Sequence, residues 1–163
     1  MGQSSVLPVD SFSIDKQWKL IIVKAQFNQS ITDKLLKSSY SRLESLGVLP
    51  SQIHVISVAG ALEIPLTIDW AFANGFDGAI ALGAVIRGET THYEFVCTGV
   101  ERGCMSVQLE HKKPIVQAVL TTENIEQALN RCGGAHGDKG SESAEVLVSM
   151  LNIKNKLHKQ LKQ

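Results

Sequence analysis

Four short apolar runs recur along this chain, each closed by a turn signal and followed by residues at helical spacing. Lys19–Ala25 (KLIIVKA), Ile53–Val58 (IHVISV), Ala79–Ile86 and Ile115–Thr121 read as strands. After the first, Ser30 is predicted to cap a helix carrying Ile31, Leu35, Tyr40, Leu43 and Leu46 on one stripe, stopped at Gly47. Pro65 fits the first turn of a second helix that runs to about Asn74-Gly75. A third, long helix reaches about Lys112, and Pro114 precedes the fourth strand. Thr122 is predicted to cap a short helix ending near Arg131, with Glu123 in its first turn. Cys132–Gly140 is a glycine-rich break, and a last helix covers about Ser141–Leu161. Each strand-to-strand separation is long enough for a right-handed crossover. The pattern predicts an α/β domain, a four-stranded parallel sheet with helices on both faces. Residues 1–18 read as a polar N-terminal arm, and 19–163 as a single domain.

In such a sheet, ligands gather beyond the carboxyl ends of the strands. Four corners meet there: Phe27-Asn28, Ala59–Glu63, Ala84–His92 and Thr121-Thr122. The most informative stretch is Gly83–Val96, GAVIRGETTHYEFV, in which an apolar strand gives way to a polar helix start. That helix start offers unpaired N–H groups and a positive dipole end, suited to phosphate. His92 supplies an imidazole able to titrate near neutral pH. Phe27 offers a stacking face to a planar heterocycle, the backbone around Ala61-Leu62 offers hydrogen bonds, and Glu63 can accept them from a polyol. Arg131 and Lys139, in the glycine-rich segment, form a second polar site where a guanidinium can grip an oxyanion bidentately.

Plainer readings stand beside these. Phe27 can be core, Asn28 a turn residue, Glu63 a first-turn carboxylate and His92 a surface or capping histidine. The Arg131–Gly140 segment can be a bend with solvated charges. His54, His111, His136 and His158 lack metal-ligand spacing and are read as structural or surface groups.

Composition narrows the field. The chain has 163 residues, 44% hydrophobic and 20% charged, enough for one sizeable core. Sixteen basic residues balance sixteen acidic ones, so no global field favours nucleic acid or an anionic membrane. Cys97, Cys104 and Cys132 form neither a CxxC pair nor an even framework, and they read as reduced cysteines without a metal. No apolar run approaches the roughly 20 residues of a membrane span, and the N-terminus lacks the order of a signal peptide. A cytoplasmic protein is expected.

Five ordered motifs make the sequence similar to a known family. Phe27-Asn28, AGALEIPL (59–66), GAVIRGETTHYEFV (83–96), LTTENIEQALNR (120–131) and the GDKG turn (137–140) resemble 6,7-dimethyl-8-ribityllumazine synthase, the penultimate enzyme of riboflavin biosynthesis. The resemblance runs from about residue 19 to the last helix. It implies a flavodoxin-like three-layer sandwich whose N-terminal arm pairs with a neighbouring subunit. It also implies homopentamers, sometimes twelve of them in an icosahedral shell, with active sites between adjacent subunits. The implied reaction joins 5-amino-6-(D-ribitylamino)uracil to 3,4-dihydroxy-2-butanone 4-phosphate, releasing phosphate and water, with no metal or organic cofactor.

Within that resemblance Phe27 stacks on the pyrimidine, and Asn28, Ala61, Leu62 and Glu63 belong to the ring and ribityl subsite. Ala84, Val85 and Ile86 line the same pocket. Glu89 and Thr90 meet the phosphate, Arg131 clamps it, Lys139 is a secondary contact and His92 transfers protons. Gln117 stands where many members carry phenylalanine over the pyrimidine, Glu89 where a small residue is common, and Ala135 where a lysine is frequent. A different class, a non-catalytic flavin- or lumazine-binding shell protein of the same fold, is the alternative. A flavodoxin-like electron carrier would want a phosphate loop after the first strand, where this chain has Phe27-Asn28-Gln29-Ser30.

Overall fold

The computed structural model describes residues 12–161. The expected arm, residues 1–18, lies mostly outside them. Its described end packs on the domain: Trp18 is buried, Phe12 and Ile14 lie against the core, and the Ser13 amide donates to Asn152 Oδ1 at 3.0 Å.

Four parallel strands form the sheet: β1 (Leu20–Ala25), β2 (Ile53–Val58), β3 (Gly78–Ile86) and β4 (Ile115–Thr122), in spatial order β2-β1-β3-β4. β1 pairs with β3 from Leu20↔Gly78 and with β2 from Leu20↔Ile53, and β3 pairs with β4 from Ala79↔Ile115. The two central strands are buried on both faces, which is why they read as continuous apolar runs. Their side chains still alternate. Leu20, Ile22, Ile80 and Leu82 face α1 (Gln29–Ser45) and α5 (Lys139–Gln160), where Leu35, Leu43, Leu147 and Leu151 complete one core. Ile21, Val23, Ala79 and Ala81 face α2 (Ile64–Ala73) and α3 (His92–His111), where Ile64, Ile68, Phe72 and Val100 complete the other. This is the flavodoxin-like three-layer arrangement expected. Short pieces finish it: α4 (Ile125–Leu129) and an antiparallel pair, β5 (Cys132–Gly134) with β6 (Gly137–Asp138), which order the predicted glycine-rich break.

The strand boundaries match within a residue, whereas three helix starts differ. α1 opens at Gln29, before Ser30, because Asn28 adopts the left-handed conformation (φ 57°) and its carbonyl accepts from the Ile31 amide. Thr122 is the last residue of β4, paired with Ile86, and Asn124 caps α4 by accepting from the Gln127 amide at 2.9 Å. α5 opens two residues before Ser141, capped by Asp138, whose Oδ1 accepts from the Gly140 and Ser141 amides and from Ser38 Oγ. At α4 and α5 an Asn or Asp side chain supplies the capping oxygen, whereas at α1 the left-handed backbone of Asn28 starts the helix without a side-chain cap.

Burial pushes the Cys104 thiol up to about 12, so it packs between sheet and helix as a small apolar group. Lys24 is a buried cation in β1, and its ammonium is paired with Asp33 of α1. His111 is a structural histidine, bonded through Nε2 to Asp69 Oδ1 at 2.8 Å and so joining α3 to α2.

α5 meets α1 at Gly140, where an added Cβ would fall 2.2 Å from Ser38 Oγ and 2.4 Å from the Leu35 carbonyl oxygen. The backbone oxygen cannot step aside. Gly140→Ala is therefore expected to destabilise the fold by roughly 1–3 kcal/mol, the ordinary cost of overpacking. A urea melt with an unchanged midpoint and slope would contradict that close approach.

Candidate active site

The parallel strands deliver their carboxyl ends to one rim, and a cleft of about 540 Å³ opens there. Nine of the expected site residues line it: Phe27, Ala61, Leu62, Glu63, Ala84, Val85, Ile86, Thr90 and His92. Sequence reasoning did not single out Gly60, Gly88, Tyr93 or Val96, which also line it. Tyr93 and Val96 lie one helical turn apart on α3, a signal present in the GETTHYEFV motif.

Each wall has a local cause. Phe27 follows β1, and its amide donates to the Ala59 carbonyl at 3.1 Å, extending the strand pairing by one bond. Its ring is 72% exposed, so it stands over the cleft and outside the core. Asn28 is what allows this. Its left-handed backbone turns the chain away, and its side-chain Nδ2 donates to the Ala84 carbonyl at 2.8 Å, tying the β1 corner to β3. Asn28 therefore positions the cleft from behind and is not among the residues lining it.

The second corner is a single 3₁₀ turn, Ala61–Glu63, leading into α2 with Pro65 in its first turn. Glu63 Oε2 accepts from the Gly60 amide at 2.8 Å, so the carboxylate closes its own turn while one edge of it faces the cleft. α3 packs tightly beneath this turn: at Gly99 an added Cβ would lie 2.6 Å from Leu62 Cδ2.

At the third corner β3 ends and Gly88–Thr91 leads into α3. The His92 amide reaches Thr90 Oγ1 at 3.3 Å, and Thr91 caps the helix without a side-chain hydrogen bond. His92 is exposed, with its ring stacked beside Phe95 at a centroid distance of 6.2 Å. Glu89 is exposed next to the cleft and does not line it.

Beside this corner lies an ionic cluster that the sequence did not announce. Arg87 Nε donates to Glu123 Oε2 at 2.7 Å, a second guanidinium nitrogen is paired with Glu94, and the plane sits 4.2 Å from the Tyr93 ring centroid. The guanidinium holds Glu94 below the ordinary glutamate range, and burial pushes the Tyr93 phenol upward.

The remaining expected residues lie elsewhere. Gln117, Arg131 and Lys139 line a separate cavity of about 400 Å³ along the outer side of β4, with Glu142, Ser143 and Val146 of α5. Arg131 Nη1 donates to the Gln127 carbonyl at 2.8 Å, and the Arg131 carbonyl accepts from the Lys139 amide, so the β5–β6 turn brings the two cations together. Arg131 and Lys139 are the second polar site read from the sequence. The structure keeps them, with Gln117, apart from the His92 cleft within one chain, because Gln117 lies mid-strand on an edge and Arg131 follows the helix beyond it. Among the described residues no cluster of three or more metal-ligating side chains occurs, and no helix is long and apolar enough to cross a membrane.

A three-layer parallel-sheet fold with an apolar cleft at its carboxyl rim, lined by an exposed aromatic ring and an imidazole, defines a flavodoxin-like α/β protein with a ligand-sized cleft where such sheets bind ligands. The family model described as 6,7-dimethyl-8-ribityllumazine synthase matches residues 17–155. Similar proteins bearing that name come from Coxiella burnetii (strain CbuG_Q212), 46% identical over 85% of this chain and 93% of the relative, and from Pediococcus pentosaceus, 45% identical over 87% and 92%. A relative with the same name from Sulfurovum sp. is 39% identical over 91% of this chain and 96% of its own length. The chain belongs to the 6,7-dimethyl-8-ribityllumazine synthase family.

If Asn28 supports the platform from behind, Asn28→Gly keeps the left-handed turn and loses only the bond to Ala84. Asn28→Ala loses both. The alanine variant is expected to be the less stable of the two, by about 1 kcal/mol in a denaturant titration. Equal stabilities would show that the conformation at this corner is not what matters.

Proposed function

We propose that the protein condenses 5-amino-6-(D-ribitylamino)uracil with 3,4-dihydroxy-2-butanone 4-phosphate to 6,7-dimethyl-8-ribityllumazine, in riboflavin biosynthesis. The observation that carries this reading is the cleft itself, which joins an exposed Phe27 ring, the open backbone of the Gly60–Leu62 turn and the His92 imidazole at one rim. The pyrimidine stacks on Phe27, with Ala61 and Leu62 at its polar edge and Glu63 toward the ribityl chain. The start of α3, with Thr90 and the amides of Gly88–Thr91, meets the phosphate.

The reaction asks for orientation and proton movement. The substrate's amine adds to the ketone and water leaves, giving an imine. Phosphate is then eliminated, and closure onto the second nitrogen with loss of another water completes the ring. Holding both substrates in contact supplies much of the rate. His92 gives and takes protons at the imine and elimination steps, an effect typically worth ~10²–10⁴-fold. A guanidinium stabilises the phosphate as it leaves.

That guanidinium is Arg131 of an adjacent subunit. Arg131, Lys139 and Gln117 share a cavity apart from the His92 cleft, so a complete site forms when the β4 edge of one subunit meets the rim of the next. The apolar surface supports such association: Trp70 of α2 is 60% exposed and Phe95 of α3 68%. β2 is an open edge with Val55 and Ile56 exposed, a place for a neighbour's N-terminal arm. We take the assembly to be a homopentamer in the cytoplasm, the unit that in this family sometimes closes twelvefold into an icosahedral shell. Gln117 then offers the pyrimidine an amide where a ring is common.

Arg131→Ala is expected to raise KM for the butanone phosphate at least tenfold with little change for the uracil, as loss of a charge-assisted clamp requires. His92→Ala is expected to lower kcat by about tenfold or more while the fold persists. Wild-type kinetics in both variants would reject the site. Sharing between subunits makes a separate demand. Unfolding and refolding the two variants together must produce mixed oligomers more active than either alone, because some interfaces then pair an intact His92 with an intact Arg131. No gain on mixing would place both residues in one chain's site or remove one from it.

A further inference from the structure

We propose that Arg87 is a positioning residue for the phosphate subsite: by bridging Glu123, Glu94 and Tyr93 it holds the Gly88–Thr91 turn and the first turn of α3 in their catalytic geometry. The inference rests on the site reading above and adds a residue that lines neither cavity.

Three attachments carry it. The Arg87 amide donates to the Thr122 carbonyl at 2.9 Å, one residue past the end of β3, so its backbone is part of the sheet. Its side chain then reaches sideways to Glu123, just after β4, and forward to Glu94, in the first turn of α3. Its plane lies over Tyr93, which is itself a wall of the cleft. Within the chain between these attachments, Gly88–Thr91, the His92 amide reaches Thr90 Oγ1 over a long 3.3 Å, a Cβ added at Gly88 would meet nothing within 4 Å, and Thr91 caps α3 without a side-chain bond. A helix start left open for a ligand lacks the usual internal cap, so its orientation must be set from outside. Arg87 does this with a planar fork whose separate nitrogens serve two carboxylates, a pattern that lysine cannot reproduce.

The two ion pairs have a second consequence. Glu94 would otherwise present an unpaired carboxylate in the first turn of α3, beside the amides proposed to hold the substrate's phosphate. Paired with Arg87, that charge is neutralised and drawn to the side of the helix.

The test is steady-state kinetics of the intact oligomer with each substrate varied in turn, for Arg87→Met, Arg87→Lys, Glu123→Gln and the Arg87→Met/Glu123→Gln pair. Arg87→Met is expected to raise KM for the butanone phosphate about tenfold while KM for the ribitylaminouracil stays within about twofold, because Phe27 and the Ala61–Glu63 turn hang on other strands. Arg87→Lys should fall between Arg87→Met and the wild type. Glu123→Gln, which touches no wall of the cleft, should show a smaller rise of about threefold that vanishes in the Arg87→Met background, the signature of one residue acting through another. A purely structural role would instead shift melting temperature and active fraction and leave both KM values alone. Unchanged KM values in Arg87→Met, equal rises for both substrates, or additive effects of the two substitutions each overturn the inference. If Arg87→Met fails to fold, Arg87→Lys and Glu123→Gln decide it by the same selectivity for the phosphate substrate. Arg131→Ala and His92→Ala are measured alongside. Impairment there with a wild-type Arg87→Met removes Arg87 alone, whereas wild-type behaviour there removes the site reading beneath it.

Discussion

The pairing of β1 with β3 underlies everything functional in this molecule. Both strands are buried on both faces, so their backbone groups have no water to turn to and must satisfy one another. The register Leu20↔Gly78 then decides which residues leave the sheet together. Phe27 and Ile86 emerge near each other because the strands carry them there in step. The Asn28 amide on the Ala84 carbonyl fastens the two corners just where the ladder ends. Without that fixed stagger, an aromatic platform and a helix start would be two unrelated surface features.

The rim divides its work between rigid and open parts. Phe27 is held by a bond that extends the β1–β2 pairing, and Glu63 closes its turn on the Gly60 amide, so that a ring and the Ala61–Glu63 turn face the cleft. The start of α3 is different. It has no side-chain cap from Thr91, only the long His92 amide bond to Thr90 Oγ1, and it therefore depends on neighbours for its orientation. The Arg87 cluster is such a neighbour, spanning three elements with one side chain. Under the proposed reaction, with a neutral heterocycle at one end of the cleft and a phosphate at the other, the first end is stiff and the second is supported from outside.

The two cavities explain why one chain is chemically incomplete under the proposed reaction. The cleft has an imidazole and helix amides, while the guanidinium and ammonium groups of Arg131 and Lys139 lie along the β4 edge. Each cation is held by its own local bond, Arg131 on a helix carbonyl and Lys139 on Glu142, so both are aimed before any partner arrives. The exposed aromatic rings on α2 and α3 and the open edge of β2 give the same domain surfaces on which subunits can meet.

What the sequence determined by itself is the order of elements and the extent of each strand. Apolar runs of β-branched residues between glycine and proline breaks place β1 to β4 within a residue, because strand burial depends on composition over a short window. Five ordered motifs, four of them at or beside the ends of the main strands, carried the resemblance to the family that the matched model then showed. Tertiary structure alone decided the rest. Ser30, Thr122 and Ser141 are good capping residues, yet Asn28, Asn124 and Asp138 stand at the helix starts, since a cap is chosen by where the preceding strand delivers the chain. Asn28 braces the β1 corner against β3 for the same cause. Arg87 reads as one charge in a loop until β4 brings Glu123, 36 positions later, against it. The separation of Gln117 and Arg131 from His92 likewise depends on which edge of the sheet β4 occupies, a spacing in three dimensions that no local pattern of letters encodes.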